Sequence, residues 1–189
     1  MPLTVAQLAA VKADILADNA LNALPNNSDG NSAIAAAYAQ IVAPDFFVYR
    51  TNIPVADIND QIVWANLTPS DAPDTTQVWA NRSLACQGKQ FNLQLLLQGS
   101  QVTINGAKAN VRAGLQDALT NVPSGTAGAL KSAGWVPVRD NALAGKARRI
   151  EKLLADTSGG GTGGNASTAA TMTFEGPIGY TDIEAARNS

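Results

Sequence analysis

Histidine is absent from the 189 residues. Its absence removes Ser-His-Asp and Cys-His catalysis, the histidine-bearing zinc sites and any histidine pH switch. Cysteine is represented by Cys86 alone, so no intrachain disulfide and no Cys-x-x-Cys metal or redox motif can form, which fits a reducing compartment. Aromatic residues make up only 5% of the chain and charged residues 15%. No run approaches the ~20 apolar residues that span a bilayer. Thirteen Lys+Arg against 15 Asp+Glu give a net charge of −2, which removes a global electrostatic case for holding nucleic acid or an anionic membrane and leaves only a local basic face open. The N-terminal stretch lacks a basic leader and carries Lys12 and Asp14 among its apolar residues, so an amphipathic helix is expected there, in a protein made and kept in a cytosol.

What is present is 46% hydrophobic residues in a length that suits one core, or one core with a tail. Thr4 and Gln7 have capping-box spacing ahead of Leu8, Val11, Ile15 and Leu16, which predicts a helix from about Thr4 to Asn19. Turn chemistry from Pro25 to Gly30 precedes a second helix capped by Asn31 or Ser32 and stopped by Pro44. Phe46 to Tyr49 is either a short extended piece or a loop that plugs the core. Further helices are expected over Asp57–Asn66, Thr76–Gln98 (with Gly88 as its weak point) and Gly106–Asn121. Pro137 opens a last long helix through Leu143, Ala147, Ile150 and Leu154.

At Ser158 the composition changes. SGGGTGG, residues 158–164, has no side chains to bury and is expected to be a flexible linker. Beyond it, Met172 and Phe174 alternate in strand fashion, and Gly176-Pro177 turns the chain before Ile178 and Tyr180. About two dozen residues cannot make a core of their own, so this segment is expected to dock on something. The expected fold is therefore mainly α: a helical-bundle body over residues 1–157, a Gly-rich linker over 158–164, and a small C-terminal β-hairpin or strand over 165–189.

Few residue patterns carry chemistry. Gly159 to Gly164 satisfies G-x-G-x-x-G, but no strand precedes it and no helix opens after it, so a linker is the expectation. Gly145-Lys146 lacks the upstream glycine of a P-loop. The acid pairs Asp57/Asp60, Asp71/Asp74 and Asp182/Glu184 could serve acid/base or metal chemistry, yet Asp57, Asp71 and Asp74 stand where helix starts want acceptors. Cys86 is expected to be a buried structural thiol. Asn66-Leu67-Thr68 and Asn81-Arg82-Ser83 match the glycosylation sequon and are expected to be chance matches, because the N-terminal stretch does not read as a secretory leader. Arg139, Lys146, Arg148, Arg149 and Lys152 gather in the last predicted helix, where they either contact DNA or an acidic partner or form a solvated face. Trp64, Trp79 and Trp135 are core or interface anchors.

Three stretches, WANRSLACQGKQFNLQLLLQG (Trp79–Gly99), NVRAGLQDALTNVPSGTAG (Asn110–Gly128) and FEGPIGYTDIEAARN (Phe174–Asn188), resemble in this order structural proteins of tailed bacteriophages encoded beside the major capsid protein. They are most similar to head-tail connector (adaptor) proteins of long-tailed phages. The resemblance covers most of the chain. It implies a helical protomer in the virion neck, made in the host bacterial cytoplasm, in a homo-oligomeric ring of about twelve copies closed by heterologous contacts. The implied partners are the portal protein, a stopper or tail terminator protein, and DNA passing without sequence specificity; no membrane, cofactor, metal or catalytic residue is implied. The basic residues then become candidate partner or DNA-channel contacts, and Met172, Phe174, Ile178 and Tyr180 a candidate docking tail that adds to a neighbour's sheet. The chain is longer than the small adaptors and carries a separate C-terminal segment. A capsid decoration or tail-completion protein is the alternative within the virion, and a carboxylate-metal hydrolase using Asp57/Asp60 or Asp71/Asp74 the alternative outside it.

Overall fold

The computed structural model describes residues 3–67, 84–98, 102–120 and 134–189. Along these the chain forms helices α1 (Val5–Ala17), α2 (Asn19–Asn22) and α3 (Ser28–Ala39), strands β1 (Phe47–Tyr49) and β2 (Ile53–Pro54), α4 (Val55–Gln61) and a 3-10 turn at Trp64–Leu67. Then come α5 (Leu84–Gln98), β3 (Thr103–Ile104), α6 (Ala109–Leu119), and the turn α7 (Trp135–Pro137), which widens into a π-helical turn at Val138–Leu143. Strand β4 (Ala144–Lys146), α8 (Arg149–Leu153), a 3-10 turn at Ala166–Thr168, β5 (Ala170–Thr171) and α9 (Tyr180–Asn188) complete it. The protein is mainly α with a small β component. It divides into two compact units, residues 1–49 with 146–189, and residues 50–145.

In the first unit, α1 starts as its capping box dictates: the Thr4 hydroxyl accepts from Gln7 N–H, and the Gln7 side chain accepts from Thr4 N–H at 2.9 Å. Helix α3 starts earlier than expected, because the Asn27 side chain accepts from Gly30 N–H at 2.9 Å and Asp29 sits in the first turn. Val11, Ile15, Ile34 and Tyr38 of these helices pack with Ile150 and Leu154 of the α8 segment and with Phe174, Ile178, Ile183 and Ala186 from the chain's end. A second, smaller cluster joins Val48, Ala147, Ala170 and Met172. Strand β1, the extended alternative for Phe46–Tyr49, runs parallel to β5 with Val48 opposite Ala170. On the other side Ala147 N–H donates to Phe46 O at 2.7 Å.

Three expectations are corrected here. The long helix through Pro137, Leu143, Ala147, Ile150 and Leu154 is broken: Ala144 turns to extended backbone and only Arg149–Leu153 is helical again. Main-chain pairing of Ala147 with Phe46, of Arg149 N–H with Gln40 O, and of Ile41 with Arg148 wins over helix propensity. The run 158–164 is a packed turn: Phe47 N–H donates to Gly163 O at 2.8 Å and Gly163 N–H to Thr168 O at 2.7 Å. Gly163 has φ +71°, and a Cβ there would lie 2.2 Å from the Phe46 ring, so glycine is required by conformation and by space. Of the two C-terminal alternatives, hairpin or strand, the strand forms as β5, but it is followed by the unexpected helix α9, and the segment packs on α1 and α3 within the first unit rather than standing apart as a docking body over 165–189.

In the second unit, β2 and β3 pair antiparallel with Ile53 opposite Ile104. Helix α4 ends at Gln61, so the expected helix to Asn66 is split by the turn at Trp64. It packs against the π-helical turn, whose Val138 and Leu143 are fully buried. Helix α5 packs on α6, Leu93 of the one and Leu115 and Leu119 of the other being buried, and Lys89 Nζ pairs with Asp117 Oδ1 at 2.9 Å. The expected start of α5 at Thr76, with Trp79, lies outside the described residues, as do Asp71, Asp74 and the Cys86 side chain.

Candidate functional site

The five basic residues singled out in the sequence are held differently from one another. Arg139 Nε pairs with its neighbour Asp140 at 2.6 Å in the second unit, away from the helix that was expected to carry all five. In the first unit, Lys146 pairs with Asp45 at 2.7 Å, and Arg148 lies 3.7 Å from Glu151, whose side chain is fully buried and accepts the Arg148 N–H at 2.8 Å. Lys152 projects its ammonium over the Phe46 ring, 5.5 Å from the centroid.

Arg149 is the centre of a network. Its Nη2 and Nε donate to Asp14 Oδ2 at 2.8 and 3.2 Å, its Nη1 donates to Asp18 Oδ2 at 2.8 Å, and its guanidinium lies 5.2 Å from the Tyr38 ring centroid. The Tyr38 hydroxyl donates to the same Asp14 oxygen at 2.7 Å. Asp14 and Asp18 are four apart, so α1 presents both carboxylates along one face. The other Asp18 oxygen accepts from Ala20 and Leu21 N–H groups at the start of α2. The Arg149 hydrogen bond first, and the Leu21 N–H next, hold the Asp18 carboxyl below its ordinary value. Burial by itself would lower the Arg149 pKa, but the bonds to Asp18 and Asp14 carry it above the usual guanidinium value. Burial, then Asp14, raises the Tyr38 phenol far above its usual range.

Beside this network lies a cleft of about 620 Å³ between the end of α3 and α8, lined by Asp14, Gln40, the 41–43 segment, Arg149 and Lys152. It presents two cations and one carboxylate, and its guanidinium is already committed to α1. Sequence reasoning found Arg149 but missed Asp14, Asp18 and Tyr38. Their i, i+4 spacing was visible, but the partner 131–135 residues away left no local signal. Arg187 was missed likewise: it donates to Leu24 O at 2.8 Å, Pro25 O at 3.1 Å and the buried Asn31 Oδ1 at 3.1 Å, fastening α9.

Of the expected docking tail, Met172, Phe174 and Ile178 are buried in the first unit's own clusters, and only Tyr180 is half exposed. The second unit instead holds an apolar groove of about 510 Å³, lined by Asn59, Trp64, Phe91, Leu93 and Leu97 with a rim of glutamines. Trp64 donates its indole N–H to Asn59 O at 3.1 Å while its ring stays half exposed.

Several of the described acids are engaged by their own chain. Asp182 accepts from Gly179 N–H at 2.9 Å and Asp156 from Ser158 N–H at 2.8 Å; the Ser158 hydroxyl first, and its N–H next, hold the Asp156 carboxyl below its ordinary value. Asp57 lies in the first turn of α4, where a negative charge meets the helix dipole. Among the described residues no three His, Cys, Asp or Glu side chains converge to hold a metal, and no helix is long and apolar enough to cross a membrane.

The fold and its surfaces define a two-unit, mainly helical protein in which Arg149 and Arg187 are spent on holding the first unit's own helices together. Comparison with protein-family models, with curated proteins and with solved structures returns no match.

Proposed function

We propose that this protein is a structural subunit of a tailed-bacteriophage virion, a head-tail connector that forms a ring of about twelve copies between the portal and the tail-proximal neck proteins, with DNA passing through its channel. The observation that supports an assembly role is the apolar surface of the second unit. Trp64, Phe91, Leu95, Val102 and Val136 are each 52–83% exposed there, although fully buried side chains were available to the same unit in Ile58, Leu115 and Leu119. Trp64 and Phe91 join Leu93 and Leu97 in one groove, and a continuous apolar surface of that kind supports covering by another protein. The three stretches that resemble phage connectors supply the rest of the reading. The net charge of −2 suits a channel, because a strongly basic lumen would retain DNA through counterion release.

In this reading the second unit, rather than the C-terminal segment that packs into its own unit, supplies the contact to a neighbouring ring. The test is a count of copies in purified virions of the phage that encodes the chain, by quantitative mass spectrometry against the portal and major capsid proteins. A connector is present at about the portal's copy number. Hundreds of copies per particle would favour the decoration alternative, and absence from the particle would overturn the virion reading.

A further inference from the structure

We infer that Asn105 is a site of spontaneous deamidation in the folded protein, and that the aspartate produced is the form the second unit holds best. Asn105 is the one asparagine in the chain followed by glycine. It stands half buried in the turn between β3 and α6, and its Oδ1 accepts from Ala107 N–H at 3.0 Å. That bond draws the carboxamide back over the main chain and polarises the Cγ=O group, whose oxygen takes the negative charge when a nucleophile adds. The nucleophile is the nitrogen of Gly106, held next to it by the covalent chain.

Glycine stands at 106 for a packing reason: a Cβ there would lie 2.6 Å from Ile53 Cδ1 and 3.0 Å from Arg50 O. Glycine also places no side chain of its own beside the nitrogen that attacks, although the residue itself is buried. Arg112 Nη1 donates to Gly106 O at 2.7 Å and Ala107 O at 2.8 Å, so the turn is fixed on its far side.

The step balances without a cofactor. The Gly106 nitrogen loses its proton to base and bonds to Asn105 Cγ; the Cγ–Nδ2 bond breaks and ammonia leaves, giving a succinimide. Water then opens the ring at either carbonyl to give aspartate or isoaspartate. The aspartate keeps the main chain intact and puts a negative charge at the approach to α6. That helix has no acidic residue in its first turn, begins at an N-cap Lys108 that makes no side-chain cap, and carries Arg112 within one turn. An anion there is favoured by the helix dipole and by both cations. Isoaspartate inserts an extra methylene directly after Ile104, whose register opposite Ile53 is set by the β2–β3 pair.

The inference is independent of the neck reading. Its test uses the full chain, incubated folded at mildly alkaline pH and sampled by peptide mapping with mass spectrometry that separates aspartate from isoaspartate. The Asn105 peptide should convert several-fold faster than any other asparagine-containing peptide, through an intermediate lighter by one ammonia, and Asn105→Gln should abolish that signal. The directly made Asn105→Asp variant should melt on the order of 2 °C higher than wild type. An Asn105 that stays intact in the folded chain but converts in urea overturns the proposal, as does an Asn105→Asp variant that melts below wild type.

Discussion

At Arg149 the guanidinium is held on three sides, by Asp14, by Asp18 and by the face of Tyr38, and each contact joins α8 to a helix from the other end of the chain. Charge-assisted hydrogen bonds in partly buried surroundings are among the stronger polar contacts. Arg149→Met would keep the stem and leave two carboxylates one turn apart without their counter-charge. The expected cost is on the order of 2 kcal/mol, read from urea unfolding at neutral pH. The pH dependence has a definite sign. Asp18 has a folded pKa below its ordinary 3.8, so its contribution is present above pH 3.8 and is lost as the pH falls through the lowered value. Wild type and Arg149→Met should therefore converge in stability in acid; curves that stay parallel below pH 3.8 would show that the ion pair is not what holds the two helices. Charge reversal at Arg149 would damage the fold before it reported on any partner. Lys152, exposed and resting on the Phe46 ring, is the better surface probe.

Helix α9 shows what an element owes to distant sequence. Ile183 and Ala186 are fully buried between α1 and α3, and Arg187 reaches back to Leu24, Pro25 and Asn31. Ile183→Ala should cost about 2–5 kcal/mol, and removing residues 165–189 should abolish the first unit's cooperative melt, because Phe174, Ile178, Ile183 and Ala186 leave its core together. A truncated chain that keeps that transition would restore the picture of a detachable tail. Local signals were legible in the sequence: the Thr4–Gln7 box, the apolar side of α6, the alternation that buries Met172 and Phe174 around exposed Thr173. The helix at the chain's end was legible too, in Ile183, Ala186 and Arg187 at i, i+3 and i+4, but a reading that expected a small hairpin or strand over the whole segment passed over it. What sequence could not show was pairing across the chain. Ala147 lies in a stretch of helical pattern until Phe46 accepts its N–H, and a glycine run looks like a linker until a phenyl ring is found packed on it. For the site the balance was poorer: Arg149 was visible as a charge but not as half of an internal clamp.

The chain crosses between its two units at two places only, Tyr49–Arg50 and Gly145–Lys146, so the second unit is an insertion in the first. Each unit clips its own ends together. In the second, Arg50 N–H donates to Leu143 O at 2.9 Å; in the first, Ala147 N–H donates to Phe46 O at 2.7 Å. Termini that lie this close are what allow a domain to be inserted or excised without loss of its host. Joining Tyr49 to Lys146 through a short Gly/Ser linker should therefore give a protein that keeps both apolar clusters, the Arg149 network and the α9 clamp, and melts cooperatively by circular dichroism near the transition that calorimetry assigns to the first unit of the full chain. Loss of cooperative melting would mean that the two units depend on each other for folding. The same protein tests where assembly resides. If the exposed apolar side chains of the second unit make the neck contact, the excised first unit, though folded, should be absent from virions assembled in cells that supply it in place of the full chain; its incorporation at the portal's copy number would move the contact to the first unit and leave Trp64, Phe91 and Leu95 without that role.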